Sequence, residues 1–174
     1  MFLKFAQMDP EAANVLSDEV WDYAFVYTSE WSHQWLDYIT RTTGRLTKSV
    51  RLIDLNGLKF TKHMDRASMK RDSKIMNEME DVYPQLLETI FACYPPSFMH
   101  KVWALIRAIM PRRIIDKIDL IEPNVNEEER NRLLKHITIE HLPKYFGGEN
   151  KVPPKDWKLG EGRKVKKYLL KVGC

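Results

Sequence analysis

The segment from residue 81 to 117, D-V-Y-P-Q-L-L-E-T-I-F-A-C-Y-P-P-S-F-M-H-K-V-W-A-L-I-R-A-I-M-P-R-R-I-I-D-K, constrains this chain more than any other. Tyr83-Pro84 closes a helix, because the residue before a proline is pushed out of the helical region. Ile90 to Cys93 reads as a short buried strand. Tyr94-Pro95-Pro96 ends it, since consecutive prolines remove ladder donors and fix φ. Ser97 is placed to cap a helix running from about Phe98 to Met110. Phe98, Met99, Val102, Trp103, Leu105, Ile106, Ile109 and Met110 make that helix apolar on nearly every side, leaving His100, Lys101 and Arg107 as a narrow polar stripe. A surface helix of a soluble domain normally shows one apolar face. The second face therefore needs a cover or a greasy partner.

The 174 residues suffice for one domain with a proper core. A formal charge of +4 is too mild to indicate a dedicated nucleic-acid binder. Cys93 falls in a predicted core strand and Cys174 is the last residue, so no disulfide framework is expected, and a reducing, cytoplasmic setting fits better. Met1 leads straight into a strand-like F-L-K-F without a signal-peptide pattern, and no apolar run approaches the ~20 residues that span a bilayer.

Taken in order, Phe2 to Phe5 predicts a strand and Asp9-Pro10 a turn after it. Ser17 with Asp18 and Glu19 opens a long helix that Gly44 closes, carrying Trp21, Phe25, Trp31, Trp35 and Tyr38 at three- and four-residue steps. Its tryptophans read as core packing, with a stacking platform as the alternative. Val50 to Leu55 is the next strand, with Asn56-Gly57 as its turn. Met64 to Val82 reads as a helix with Ala67, Ile75, Met76, Met79 and Val82 inward and a basic row outward. Pro111 can start a short helix at its first position. Ile118 to Ile121 is a strand and Glu127 to His136 a charged helix. Alternating strands and helices argue for an α/β fold with a mixed, mainly parallel sheet.

Enzyme motifs are scarce. There is no G-x-S-x-G elbow, P-loop or G-x-G-x-x-G, and His33, His63, His100, His136 and His141 fall singly, away from any cysteine that could complete a zinc site. Asp54 ends a strand, where α/β enzymes often keep a catalytic group; its other reading is a turn-forming aspartate before Asn56-Gly57. No catalysis, cofactor or metal is expected.

The order of D-L-N-G-L (54–58), Tyr83-Pro84, a strand, a proline loop, the aromatic-apolar helix ending near Pro111, the Asp116-Lys117-Ile118 step and L-P-K-Y-F-G-G (142–148) resembles the CRAL-TRIO lipid-binding domain. That is the fold of the secretory phosphatidylinositol-transfer proteins and the tocopherol- and retinal-binding proteins. The resemblance covers residues 1–148 and implies flanking helices and a sheet forming an apolar lipid cavity, with the 98–110 segment as a helical gate. It implies ligand contacts from Phe98, Val102, Trp103, Ile106 and Ile109. Relatives usually carry a small helical domain before this lobe, whereas Met1 here leads into the first strand. In phosphatidylinositol-binding members a glutamate, a threonine and a lysine hold the inositol phosphate. The matching positions here are Gln85, Ile114 and Lys117, so the lysine alone is kept.

Two functional readings are open on this basis. One is a monomeric, peripheral carrier that binds a single hydrophobic lipid, phospholipid or isoprenoid-like, and moves it between membranes. The alternative is a non-transferring membrane- or protein-docking module of the same fold, or an inactive truncated domain. Residues 149–174 form a basic tail in which Lys164, Lys167 and Lys171 recur at helical steps, an expected contact with an anionic membrane.

Overall fold

The computed structural model describes residues 2–7, 9–63, 65–83 and 86–151. The chain opens with β1 (Phe2–Lys4) and a 3-10 turn over Phe5–Gln7, then α1 (Pro10–Asn14) and the long α2 (Asp18–Thr43). β2 (Ser49–Asp54) leads through α3 (Phe60–His63) and α4 (Arg66–Val82) into β3 (Leu87–Cys93). After it come α5 (Met99–Ile109), α6 (Arg112–Ile115), β4 (Ile118–Ile121), α7 (Glu127–Leu134) and a 3-10 turn over Lys144–Phe146. The four strands lie in the order β1-β2-β3-β4 and every neighbouring pair among the described residues is parallel, in keeping with the α/β fold and mainly parallel sheet expected.

Helix ends follow side-chain capping. Asp9 does not simply end a strand: its carboxylate accepts from Glu11 N at 3.1 Å and Ala12 N at 3.4 Å, and with Pro10 behind it starts α1. Ser17 accepts from Val20 N at 3.4 Å to start α2, and Gly44 ends it at φ 68°. The helix expected from Met64 to Val82 is α4, which begins at Arg66 because Asp65 caps it, accepting from Ser68 N at 2.8 Å; the short α3 lies before the expected span. Ile75 is buried on α4 and Met76 and Met79 are half-buried, but Ala67 and Val82 are exposed, not inward. Asn126 accepts from Glu128 N and Glu129 N to start α7, which stops at Leu134 rather than His136.

A parallel strand pair needs a crossover, and right-handed crossovers between strands taken in sequence order all fall on one face of the sheet. The crossover helices obey that rule. Ile53, Ala92, Ile118 and Leu120 meet α5, Ile115 and Met69 of α4 on that face. The opposite face receives the chain beyond β4: Leu52, Phe91, Cys93 and Ile121 pack against Leu133 of α7 and against Leu142 and Phe146. The closing L-P-K-Y-F-G-G turn is held from within, as Asn150 N donates to Leu142 O at 3.0 Å and Lys144 N to Asn150 O at 2.9 Å. Gly148 is required there, because a Cβ would collide with the Leu142 carbonyl group.

Candidate functional site

The segment expected as a gate is positioned by its flanks. β3 ends at Cys93, and Tyr94 leaves it at φ 57°, a left-handed conformation that a non-glycine residue seldom adopts. The Tyr94 hydroxyl donates to the Tyr145 carbonyl at 2.5 Å, and its ring stacks on Phe146 at 6.0 Å, which holds the exit in place. Pro95-Pro96 then turns the chain into α5. Ser97 does not cap this helix: Phe98 takes the cap position without a side-chain hydrogen bond, and Ser97 is exposed. Pro111 separates α5 from α6, taking the cap position just before α6 rather than its first helical position.

α5 is more clearly two-sided than its sequence suggests. Met99 and Ile106 are buried, and Phe98, Val102, Trp103 and Met110 are half-buried against Leu55, Leu58, Ala92 and Ile115. His100, Lys101, Ala104, Leu105, Arg107 and Ala108 face outward, with Leu105 at 47% exposure as the large apolar group among them. The inner face is broad because apolar residues at i, i+3, i+4 and i+7 span two turns. Beneath α5 the sheet is covered by packed side chains.

Of the residues implied as ligand contacts, Phe98, Val102, Trp103 and Ile106 therefore lie together on the inner face of α5. Ile114 is elsewhere: it is buried against Leu87 and Ile90, with no polar atom to offer a phosphate. Lys117 is half-buried, and its carbonyl accepts from Ile90 N at 2.8 Å and Thr89 Oγ1 at 3.0 Å at the start of β4. Gln85, the side chain of Ile109 and residues 152–174 lie outside the described residues.

At the C-terminal end of α5 a cavity of about 250 Å³ is lined by Arg107, Arg112, Ile115 and Asp116. Sequence reasoning passed over it, although a basic run at 107, 112 and 113 beside a proline was the available signal. Asp54, the strand-end acid, is fully buried and accepts from Asn56 N at 2.9 Å, the bond of a turn-forming aspartate. Its other oxygen lies 4.0 Å from Lys4 Nζ. Burial, with the nearby Asp54 and Asp119 carboxylates, pushes the Cys93 thiol well above its ordinary range, which leaves it inert as a nucleophile. Among the described residues no His, Cys, Asp and Glu cluster is arranged to hold a metal ion.

α2 and α4 brace each other beside the gate. Trp21 Nε1 donates to Asp72 at 2.8 Å, and the Arg71 guanidinium lies 4.5 Å from the Trp21 ring centre. Farther along, the Tyr83 hydroxyl donates to Glu30 at 2.6 Å. The hydrogen bond from Gln34, and after it the one from Tyr83, holds the Glu30 carboxyl below its ordinary range. Trp21, Trp31 and Trp35 are all half-buried, and Trp21 serves as a joint between helices.

The model of the CRAL/TRIO domain matches residues 1–148. The chain belongs to the CRAL/TRIO family. Membership places it among domains that bind hydrophobic lipids in general. A solved structure, the crystal structure of Sfh5, is similar at 15% identity and a TM-score of 0.49, covering 72% of this chain and 42% of that one. The chain thus spans less than half the length of that relative. A search of curated sequences finds no match. No described helix is long and apolar enough to cross a membrane.

Proposed function

We propose that this CRAL/TRIO chain binds a single hydrophobic lipid, a phospholipid or an isoprenoid-like molecule, between α5 and the sheet and carries it between membranes as a peripheral, non-enzymatic protein. One observation supports the reading above the rest: α5 buries a broad apolar face on the sheet yet joins its neighbours through Pro95-Pro96 and Pro111. A helix bounded in this way lifts as a unit, because the proline joints do not propagate helical hydrogen bonds across them. Lifting exposes Phe98, Val102, Trp103 and Ile106 on one side and Leu55, Leu58 and Ala92 on the other. A lipid chain replaces those contacts with its own. A diacyl lipid hides several hundred Å² of chain, which at about 25 cal/mol per Å² favours binding by on the order of 10 kcal/mol before ordering costs.

Outside the gate, Lys101 and Arg107 flank Leu105, a pattern suited to brief contact with a bilayer. The basic residues of the 149–174 tail add an attraction of about 1 kcal/mol each near an anionic leaflet. That strength permits docking and release, as a carrier requires. The test is transfer of a fluorescent phospholipid from donor to acceptor vesicles. The wild-type chain is expected to accelerate it in proportion to protein concentration, and Val102→Asp to abolish the acceleration. A folded wild-type chain that takes up lipid without moving it would make the docking-module reading the better one. A folded chain that takes up none would overturn lipid binding.

A further inference from the structure

The cavity at the end of α5 carries a charge pattern that an apolar gate does not need. Two guanidinium side chains, Arg107 and Arg112, and one carboxylate, Asp116, line it together with Ile115. All three charged residues are exposed, and none is engaged in an ion pair with a described residue. Both signs of charge therefore border one small volume without a direct ion pair between them. Helix capping does not explain them either. Arg112 opens α6 and Asp116 comes after its last residue, each at the end where the backbone dipole disfavours its charge. Arg112 and Asp116 share one hydrogen-bonded turn, and Arg107 reaches the cavity from the last turn of α5. Asp116 N donates to Arg112 O at 2.9 Å, while Ile114 and Ile115 are buried in two separate apolar clusters.

We infer that this cavity takes a headgroup in which a phosphate and a primary ammonium occur together. Guanidinium forks suit phosphate oxygens, which they meet with paired N–H donors. The Asp116 carboxylate offers acceptors only and so requires an N–H donor, which a primary ammonium has and a quaternary one lacks. Two cations and one carboxylate leave a formal surplus of one positive charge, so the phosphate is attracted ahead of the ammonium. The natural source, an aminophospholipid headgroup, rests on the lipid-binding reading. A soluble amino-phosphate shares the chemistry, so the site itself does not depend on that reading.

The experiment is an amide-resonance titration of the full chain with phosphorylethanolamine, phosphorylcholine, inorganic phosphate and ethanolamine. Phosphorylethanolamine is expected to shift residues 107 and 112–116 and to bind about tenfold more tightly than phosphorylcholine or inorganic phosphate, the margin a charge-assisted hydrogen bond gives. Asp116→Asn should reduce it to the level of inorganic phosphate, and Arg112→Gln should weaken every phosphate ligand by roughly tenfold. Equal binding of phosphorylethanolamine and phosphorylcholine, or shifts confined to other residues, would overturn the inference. Co-sedimentation with phosphatidylcholine vesicles, with and without phosphatidylethanolamine, separates the sources. An ethanolamine-dependent gain lost in Asp116→Asn supports the membrane lipid. Binding of the soluble ligand without that gain supports a free amino-phosphate. None of the soluble probes has an acyl chain, so failure here leaves lipid carriage standing, and loss of lipid in a gate variant leaves this site standing.

Discussion

Neighbouring positions on α5 have opposite fates, and that contrast makes the gate testable residue by residue. Ile106 is 8% exposed and Leu105 47%. Ile106→Ala removes buried methyl groups from the gate cluster and is expected to cost about 2–4 kcal/mol of stability, against well under 1 for Leu105→Ala, by denaturant melts. The same burial makes Ile106→Asp a poor probe of lipid binding, since an unpaired buried charge unfolds before it informs. Val102, half-buried, is the better site for a charge. Asp72 supplies a pH test. Burial raises its carboxyl above the ordinary range, while the Trp21 hydrogen bond and the Arg71 charge pull the other way. A raised carboxylate pKa means that the folded state holds the proton more tightly than the unfolded one. Its stability contribution is therefore present at low pH and is lost as pH rises through the folded value. Asp72→Asn keeps an oxygen for Trp21 and has no charge to desolvate. It should melt above wild type at neutral pH, with the gap closing below the unfolded carboxylate range; a gap that widens on acidification would contradict this.

At the scale of elements, the strands are legible in the sequence where a turn signal comes after an apolar run. Asn56-Gly57 after β2 and Tyr94-Pro95 after β3 place both strand ends within a residue. Helix starts are less legible. Asp9, Ser17, Asp65 and Ser97 all belong to the capping class, yet the first three cap and Ser97 does not. The difference lies in the backbone: Pro95-Pro96 feeds Phe98 into the helical region, so Ser97 never stands at the junction. The inner face of α5 is legible from its spacing, but how much of its circumference is covered depends on β2, β3 and α6, whose placement no local pattern specifies. The cavity at Arg107, Arg112 and Asp116 escapes although its residues are close in sequence, because the angle that the chain takes at Pro111 between α5 and α6 is not specified by residue spacing. Gly148→Ala tests the closing element. With the Leu142 carbonyl standing where the added carbon must go, the turn has to open, and Leu142 and Phe146 lose their seats on the sheet. A loss of more than about 3 kcal/mol is expected in the melt, at the upper end for single substitutions.

For the whole molecule, one sheet is covered by two unlike layers. α7 and the closing turn seal one face with fully buried Leu133, Leu142 and Phe146, while α5 covers the other between proline joints. On the proposed reading the sealed face serves stability and the face under α5 serves exchange, so the two should differ in opening. Amides of α5 are expected to exchange with solvent faster than those of α7 on the sealed face, because local opening of a short element between proline joints needs less free energy than global unfolding. Equal protection on the two faces would count against a gate. Because hydrogen bonds of the closing turn run through Asn150, a chain shortened to test the basic tail is best ended after Lys151. Its loss of salt-sensitive binding to anionic vesicles, relative to the full chain, would assign that contact to the tail. The central claim is that one lipid takes the place of the contacts between α5 and the sheet when α5 lifts. Native mass spectrometry of the purified full chain, beside its Val102→Asp variant, tests it most directly. The account predicts one lipid mass per chain for wild type and none for the folded variant. A wild-type chain that is folded and empty after exposure to phospholipid and isoprenoid vesicles, or a variant that retains the lipid, would contradict it.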